Sequence, residues 1–547
     1  MAEKVGIWGY GVYVPWERIE TEKIVRHRGR LEAEKKLDEK VATVRYGLLL
    51  KNKAVAGISE DSITLGTEAS ENAIARACIR ADKIGSVYVG SESKPYAVGQ
   101  IARHVASFVG VGGNVFTADM EGACNAGMQA VSSVESDILG EKIKYGLAVG
   151  TDIAQADSGD PLEYACGAGA AAFVLGPEDD KNVATIEAIA PYSSLTLDFW
   201  RRDNIPVPSH LGQTTVEAYV RHTIMAINEL LKKNPDMQLK DFDYITFHQP
   251  SGYMPLKTCK IITGESNKPF LLEDLISDSD VRGRMKLTPE DVENKVKPYL
   301  KVLDTGNTYA ASTMIAISSI LDSSVNGIAE PGQKILAVSY GSGAYSYATV
   351  LKICEGLRSK VKLAPTVDEY VARKNIIGLE TYGDHLKKRF SSMKERLIFP
   401  RIVGEIEALE GELFQSQCDS CKKIYYPPRD KCLNPNCKGR VEKRKYPRVA
   451  TLKDYAVSQG MWRNPNLEKT LKGPVSTFLE DKKLYYPNSN VYYDGRVLIV
   501  DATDKDVRRK DILEAVIRVI DYEGSRGHIV YGITYRPLFR KMINAKS

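Results

Sequence analysis

Residues 121–139 read EGACNAGMQAVSSVESDIL, and this stretch decides the fold. The segment before it, NVFTAD (114–119), is an apolar strand. The segment itself opens with small residues around Cys124 and continues in a helical pattern. A strand that runs through a tight turn into a helix places Cys124 at a helix N-terminus. There the free N–H groups and the positive end of the dipole favour thiolate. Small neighbours leave room for a thioester to approach. The plain alternative is a buried core cysteine, the common fate of a free thiol.

Outward from this turn, strands and helices alternate. A helix near 64–81 leads into SVYVGSES (86–93), and YGLAVGTD (145–152) and GAGAAAFVLG (167–176) follow the Cys124 helix as buried strands. The same order then recurs. A helix near 216–232 leads into DYITFHQPSG (243–252), GNTYAASTMIAISSIL (306–321) enters a helix, and KILAVSYGSGAYSYATVL (334–351) reads as a strand pair. Glu92 and His248 hold matching places in the two halves, as do Cys124 and Asn307. Two copies of a long period imply a duplicated, layered α/β domain and not a solenoid.

The matching positions carry reactive groups. His248 ends a strand in HQPSG, and strand ends of α/β folds are where ligands sit. An imidazole there donates to a carbonyl or takes a proton near neutral pH. Otherwise it is a hydrogen-bonded structural histidine. Glu92 ends the equivalent strand in GSES, where burial would raise its pKa and make it a base. A surface glutamate is the default reading. The Asn307 amide either donates to an oxyanion or caps the helix.

The 547 residues exceed one ordinary domain. The hydrophobic fraction of 43% and charged fraction of 27% are those of a globular protein, and the net charge of +5 is too small and too dispersed for a nucleic-acid binder. No run of about 18 apolar residues suggests a membrane span, and MAEKVGIWGYGVYVP lacks the regions of a signal peptide, so a cytoplasmic protein is expected. Residues 1–352 form the duplicated domain, with halves of about 1–178 and 179–352. A charged, amphipathic helical linker spans 353–410. Of nine cysteines, Cys418, Cys421, Cys432 and Cys437 form two knuckles ten residues apart, the spacing of a tetrahedral structural zinc site in a ribbon over 411–440. Cys78 and Cys354 are expected in the core. Short alternating runs over 441–547 (RVLIVDA, RGHIVYGITYRP) suggest a small β-barrel.

Taken together, EGACNAG, VGSES, HQPSG, GNTYAAS and SYGSGA resemble the motifs of the thiolase superfamily, and most nearly those of archaeal 3-hydroxy-3-methylglutaryl-CoA synthases. The resemblance also takes in VGIWGYGVYVP, DFWRR (198–202) and LEYACGAGAAAF (162–173), and covers roughly residues 3–375. It implies a five-layered αβαβα fold, a homodimer, and condensation of acetyl-CoA with acetoacetyl-CoA in the mevalonate route to isoprenoids. It implies that Cys124 is acylated, Glu92 takes a proton from the acetyl methyl, and His248 holds and polarises the ketone. Asn307 and Ser342 then match the substrate and oxyanion positions, Asp198 and Tyr164 the pocket wall, and Lys257 a partner for coenzyme A phosphates. The C-terminal region resembles DUF35 zinc-ribbon/OB-fold proteins, which as separate subunits bridge a synthase to an acetoacetyl-CoA thiolase. Here it is fused.

Two rivals remain at this stage. One is a condensing enzyme that makes a β-ketoacyl thioester; degradative thiolases use a second cysteine in a CxG loop, absent here, and Glu92 separates the chain from the Cys-His-Asn enzymes of fatty-acid synthesis. The other is a non-catalytic scaffold that channels acyl-CoA to a thiolase.

Overall fold

The computed structural model describes the chain apart from residues 1–3, 58, 154–155, 158, 203–204, 206, 266–270, 391–413, 426–430, 446–448, 458–474, 485–492, 500–511, 524–527 and 538–547. It divides into two compact units. One comprises Met1–Ala56, Asp61–Val105 and Val111–Tyr382; the other comprises Gly57–Glu60, Ala106–Gly110 and Gly383–Ser547.

The first unit is built on a nine-stranded sheet. In chain order its strands are β1 (Val5–Tyr13), β2 (Ile84–Gly90), β3 (Phe116–Met120), β4 (Tyr145–Ile153), β5 (Ala168–Pro177), β6 (Ala184–Thr196), β7 (Tyr244–Phe247), β8 (Lys334–Val338) and β9 (Gly343–Ile353). Their spatial order is β7-β8-β9-β6-β1-β5-β4-β2-β3. This order is the duplication made visible. The first half runs β1-β5-β4-β2-β3, and the second half repeats it as β6-β9-β8-β7, with no counterpart of β3 among the described residues. The pairings repeat as well. β2 lies parallel to β4 (Val89 opposite Val149), and β7 lies parallel to β8 (Phe247 opposite Val338). The halves join where Val5–Ile7 of β1 pairs with Ala184–Ile186 of β6, so the strands form one continuous sheet.

Helices pack against this sheet. α1 (Ser62–Ala77) is capped by the Asp61 carboxylate, which accepts from Thr64 N at 2.9 Å. α2 (Ala126–Leu139) follows the Cys124 turn, α3 (Gln213–Lys233) and α4 (Tyr253–Ile262) cover the second half, and α5 (Ser312–Asp322) is buried at every residue. A helix with no exposed face needs small and apolar residues all round. STMIAISSILD supplies them, and Ser318 Oγ donates to Met314 O at 2.8 Å while Ser312 Oγ accepts Gln249 N at 3.0 Å. Because the ends of β2 and β7 occupy equivalent places, Glu92 and His248 fall at equivalent strand ends.

Two cysteine expectations fail. Cys78 is exposed, since it caps the C-terminus of α1 with φ of 56° and turns away from the core. Cys354 is only half buried, just past the end of β9. After β9 the linker region contains helices at Gly356–Lys360, Val367–Ala372 and Leu379–Phe390. Its remainder, 391–410, lies outside the described residues.

In the second unit, β10 (Phe414–Cys418), β11 (Ile424–Tyr425) and β12 (Val441–Lys445) form a three-stranded sheet. Five further strands, β13 (Val449–Val457), β14 (Val475–Leu484), β15 (Tyr493–Ile499), β16 (Ile512–Glu523) and β17 (His528–Pro537), pair antiparallel in the order β15-β14-β13-β16-β17. The expected barrel would need β15 to pair with β17. That pairing is not among those of the described residues.

Candidate active site

Cys124 lies in a 3₁₀ turn, Ala123–Asn125, just before α2. Ala123 takes φ of 45°, a left-handed value that costs a non-glycine residue energy and turns the chain sharply. The turn is held from the second half. Ser339 Oγ donates to Asn125 Oδ1, and Ser339 is the first residue past β8. Gly127 and Gly150 allow this closeness, because a Cβ at either would stand 2.3 or 2.4 Å from Ala310 O.

The Cys124 thiol is buried, and the Glu92 carboxyl lies close enough to raise it. Glu92 as a residue is only partly buried, yet its Oε1 is shut off from solvent without a partner. Burial, and then the nearby Asp152, push Glu92 up to about 8. The base expected at this strand end is therefore poised near neutral pH. The thiol departs from expectation. Burial, and then Glu92, raise it well above its ordinary value, and this outweighs the helix dipole. In the free protein Cys124 is a thiol, and its proton must leave as it attacks.

Asp152, at the end of β4, organises this centre. Its Oδ1 accepts from Glu92 N (2.8 Å), Ser93 N (3.0 Å), Ser93 Oγ (2.6 Å) and Ser91 Oγ (3.1 Å), while Oδ2 accepts from Ala310 N at 3.0 Å. Burial lifts its carboxyl to about 6 against the pull of these donors. It ionises before Glu92, and its charge holds Glu92 protonated longer. Asp152 was passed over as part of an apolar strand. The logic that picked out Glu92, an acid closing a buried strand, would have found it.

His248 is buried one residue past β7, with its N–H on Val338 O at 2.8 Å and its carbonyl taking Tyr219 OH at 2.6 Å. Val338 precedes Ser339, which bonds Asn125, so adjacent residues of one strand end hold both His248 and the Cys124 turn. Burial pushes the imidazole down to about 3, so it is neutral, and its Nδ1 is buried without a partner.

Asp198 is fully buried. Its carboxylate accepts Tyr340 OH at 2.7 Å and Gly343 N at 3.0 Å, and its charge reaches Glu92 and Cys124. Ser342 lies in the same loop, two residues after Tyr340. Asn307 Oδ1 accepts Tyr309 N at 2.8 Å, one residue ahead of the Thr308 N-cap, and leaves Nδ2 as the donor. The backbone of Asn307 bridges to Cys166, which shares a buried cluster with Cys124, Ala156 and Tyr309. Two expected residues stand apart. Tyr164 packs against a separate cluster of Val25, Val41, Val44, Leu50 and Val302. Lys257 lies on α4 with its ammonium on Tyr253 OH at 3.1 Å. Arg201 was not singled out, though it donates to Glu92 O at 3.2 Å.

In the ribbon, the sulfurs of Cys418, Cys421, Cys432 and Cys437 all lie within 4.8 Å of one another, with Cys418–Cys437 and Cys421–Cys432 at 3.5 Å. A tetrahedral zinc with bonds of ~2.3 Å needs sulfurs ~3.8 Å apart, so the four residues fit the ion. Gly439 N points at Cys437 Sγ (3.4 Å), and a Cβ on Gly439 would strike Cys418 Sγ at 2.6 Å. The site is structural, because four thiolates leave no open position.

A duplicated α/β sheet with a buried thiol, a poised carboxyl and a neutral imidazole at its strand ends defines an acyl-CoA condensing enzyme of the thiolase superfamily. Known proteins agree. The thiolase N-terminal domain model matches residues 51–160, and the ChsH2 rubredoxin-like zinc ribbon model matches residues 407–442. The hydroxymethylglutaryl-CoA synthase of Methanopyrus kandleri is 39% identical over 399 residues, 73% of this chain and 99% of the relative. That of Archaeoglobus fulgidus is 38% identical over 385 residues, 70% of this chain and 99% of the relative. The solved structure of MvaS in complex with 3-hydroxy-3-methylglutaryl coenzyme A superposes with a TM-score of 0.61 at 20% identity, covering 73% of this chain and 95% of that one, and supports the fold. The chain belongs to the hydroxymethylglutaryl-CoA synthase family, with a zinc-ribbon region following the synthase part.

Proposed function

We propose that the protein condenses acetyl-CoA with acetoacetyl-CoA and water to give 3-hydroxy-3-methylglutaryl-CoA and free CoA, the step that leads to mevalonate. The observation that carries this reading is the buried Cys124 thiol beside a Glu92 carboxyl raised to about 8.

The Cys124 sulfur attacks the acetyl thioester, and CoA leaves with the thiol proton. Glu92, once ionised, takes a proton from the methyl of the acetyl group on Cys124. The neutral His248 donates to the ketone of acetoacetyl-CoA as the carbanion adds to it and the new alkoxide forms. Asn307 Nδ2 and Ser342 steady oxyanions, Asp198 holds the Tyr340–Gly343 wall, and water then cleaves the enzyme thioester. Lys257 is the candidate partner of coenzyme A phosphates, and Tyr164 serves as an outer wall residue. We further propose a cytoplasmic homodimer whose ribbon region docks an acetoacetyl-CoA thiolase. Among the described residues no helix is long and apolar enough to cross a membrane.

The test is intact-protein mass spectrometry after brief mixing with acetyl-CoA, with product analysis after acetoacetyl-CoA is added. An acetyl adduct on Cys124 and a 3-hydroxy-3-methyl product support the reading. A β-keto product overturns it.

A further inference from the structure

Cys124 packs in a small apolar cluster that the reaction as described does not use. Its buried members are Ala156, Cys166 and Tyr309, with Leu162 and Phe199 packed against them. In the absence of substrate, this is the wall that an acyl group on the Cys124 sulfur must meet.

The wall is rigid for a local reason. Tyr309 is a buried non-glycine residue with φ of 49°, a strained value that persists only if its surroundings enforce it. They do so from both sides. Asn307 Oδ1 takes Tyr309 N at 2.8 Å, and Asp152 Oδ2 takes the next amide, Ala310 N, at 3.0 Å. The strained backbone sends the ring into the cluster, where Phe199 lies 6.3 Å away, centroid to centroid, at 52°. The phenol oxygen then meets Cys166 Sγ at 3.0 Å. Cys166 is itself buried and fixed through its backbone bridge to Asn307.

We propose that Cys166 is a positioning residue for acyl-donor selectivity: by holding the Tyr309 hydroxyl it keeps the wall beside Cys124 tight enough to take a two-carbon acyl group from CoA and turn away longer donors at loading, while the condensed chain grows away from this wall toward His248. This rests on the synthase reading and adds the determinant of its acyl size. The step it governs is thioester exchange, in which the Cys124 sulfur bonds the acyl carbon and CoA departs with the thiol proton. A dense wall rejects an added methylene because neither partner can yield, and such pockets discriminate by roughly 10- to 200-fold.

The experiment compares acyl loading of Cys124 by acetyl-CoA and by propionyl-CoA, read as intact mass against time on the full chain. Wild type is expected to favour acetyl by at least about tenfold. Cys166→Ala should load acetyl at a near-normal rate and lower that preference at least about fivefold. Cys166→Ser, which keeps size and hydrogen bond, should restore it, a rescue that general loosening would not give. Phe199→Ala reads the same wall should Cys166→Ala fail to fold. Normal acetyl loading with an unchanged acetyl-to-propionyl ratio in Cys166→Ala, or in Phe199→Ala, overturns the inference alone. A wild type that takes no acetyl group overturns the synthase reading and this inference with it.

Discussion

Glu92→Gln separates what the buried carboxyl does for chemistry from what it costs the fold. Burial and Asp152 hold Glu92 at about 8, against an ordinary value of 4.5. Below pH 4.5 the group is protonated in both the folded and unfolded chain and contributes no pH dependence. Between 4.5 and 8 the unfolded chain ionises it and the folded one does not, so stability is lost as pH rises, in full by about 8. The gap is 8 − 4.5 = 3.5, which at about 1.36 kcal/mol per pH unit gives ~5 kcal/mol. Sharing of the proton with Asp152 lowers the expectation to about 3–5 kcal/mol. Gln is neutral throughout and removes this slope. Urea denaturation of the synthase part at pH 5 and pH 8.5 should show Glu92→Gln gaining on wild type by that amount at the higher pH. Condensation should meanwhile be lost at both, with acetylation of Cys124 retained. A stability difference that is the same at both pH values would refute the buried, raised carboxyl.

Other outcomes follow from the same geometry. Cys124→Ala should take no acetyl group and lose condensation by at least ~10³-fold, seen by mass and by product formation. Asp152→Asn removes the charge that holds Glu92 protonated, so the surviving condensation should turn on at a lower pH, checked by its pH–rate profile. The His248 imidazole lies at about 3 against 6.5, so stability should fall as pH drops from 6.5 toward 3, and His248→Asn should blunt that fall in acid titration. Chelation, or Cys421→Ser, should strip one zinc per chain, measured by metal analysis, and leave acetylation of Cys124 intact.

The candidate positions stand out in the sequence because local rules carry them. A cysteine between a strand and a helix, and an acid and a histidine at matching strand ends, need only the α/β pattern to be singled out. The protonation of Cys124 was not legible. The dipole of α2 is a local feature, but the burial and the carboxyls that override it come from β2, β4 and the segment after β6. Asp152 itself closes a buried strand as Glu92 does and was open to the same reading, but its role was not, since its five donors come from residues 91–93 and 310. The exposure of Cys78 follows from a left-handed cap that no periodicity announces. The zinc site was read from spacing alone, because two knuckles specify four sulfurs directly.

The two oxygens of Asp152 face different halves of the duplication, one toward the Glu92 loop and the other toward Ala310. The carboxylate is thus a latch across an ancient seam. A chain in which one half has slipped even slightly loses the latch, the alignment of base and thiol, and the strained tyrosine together. Such an enzyme should fail as a unit on heating, falling silent while most of its helices and strands are still in place.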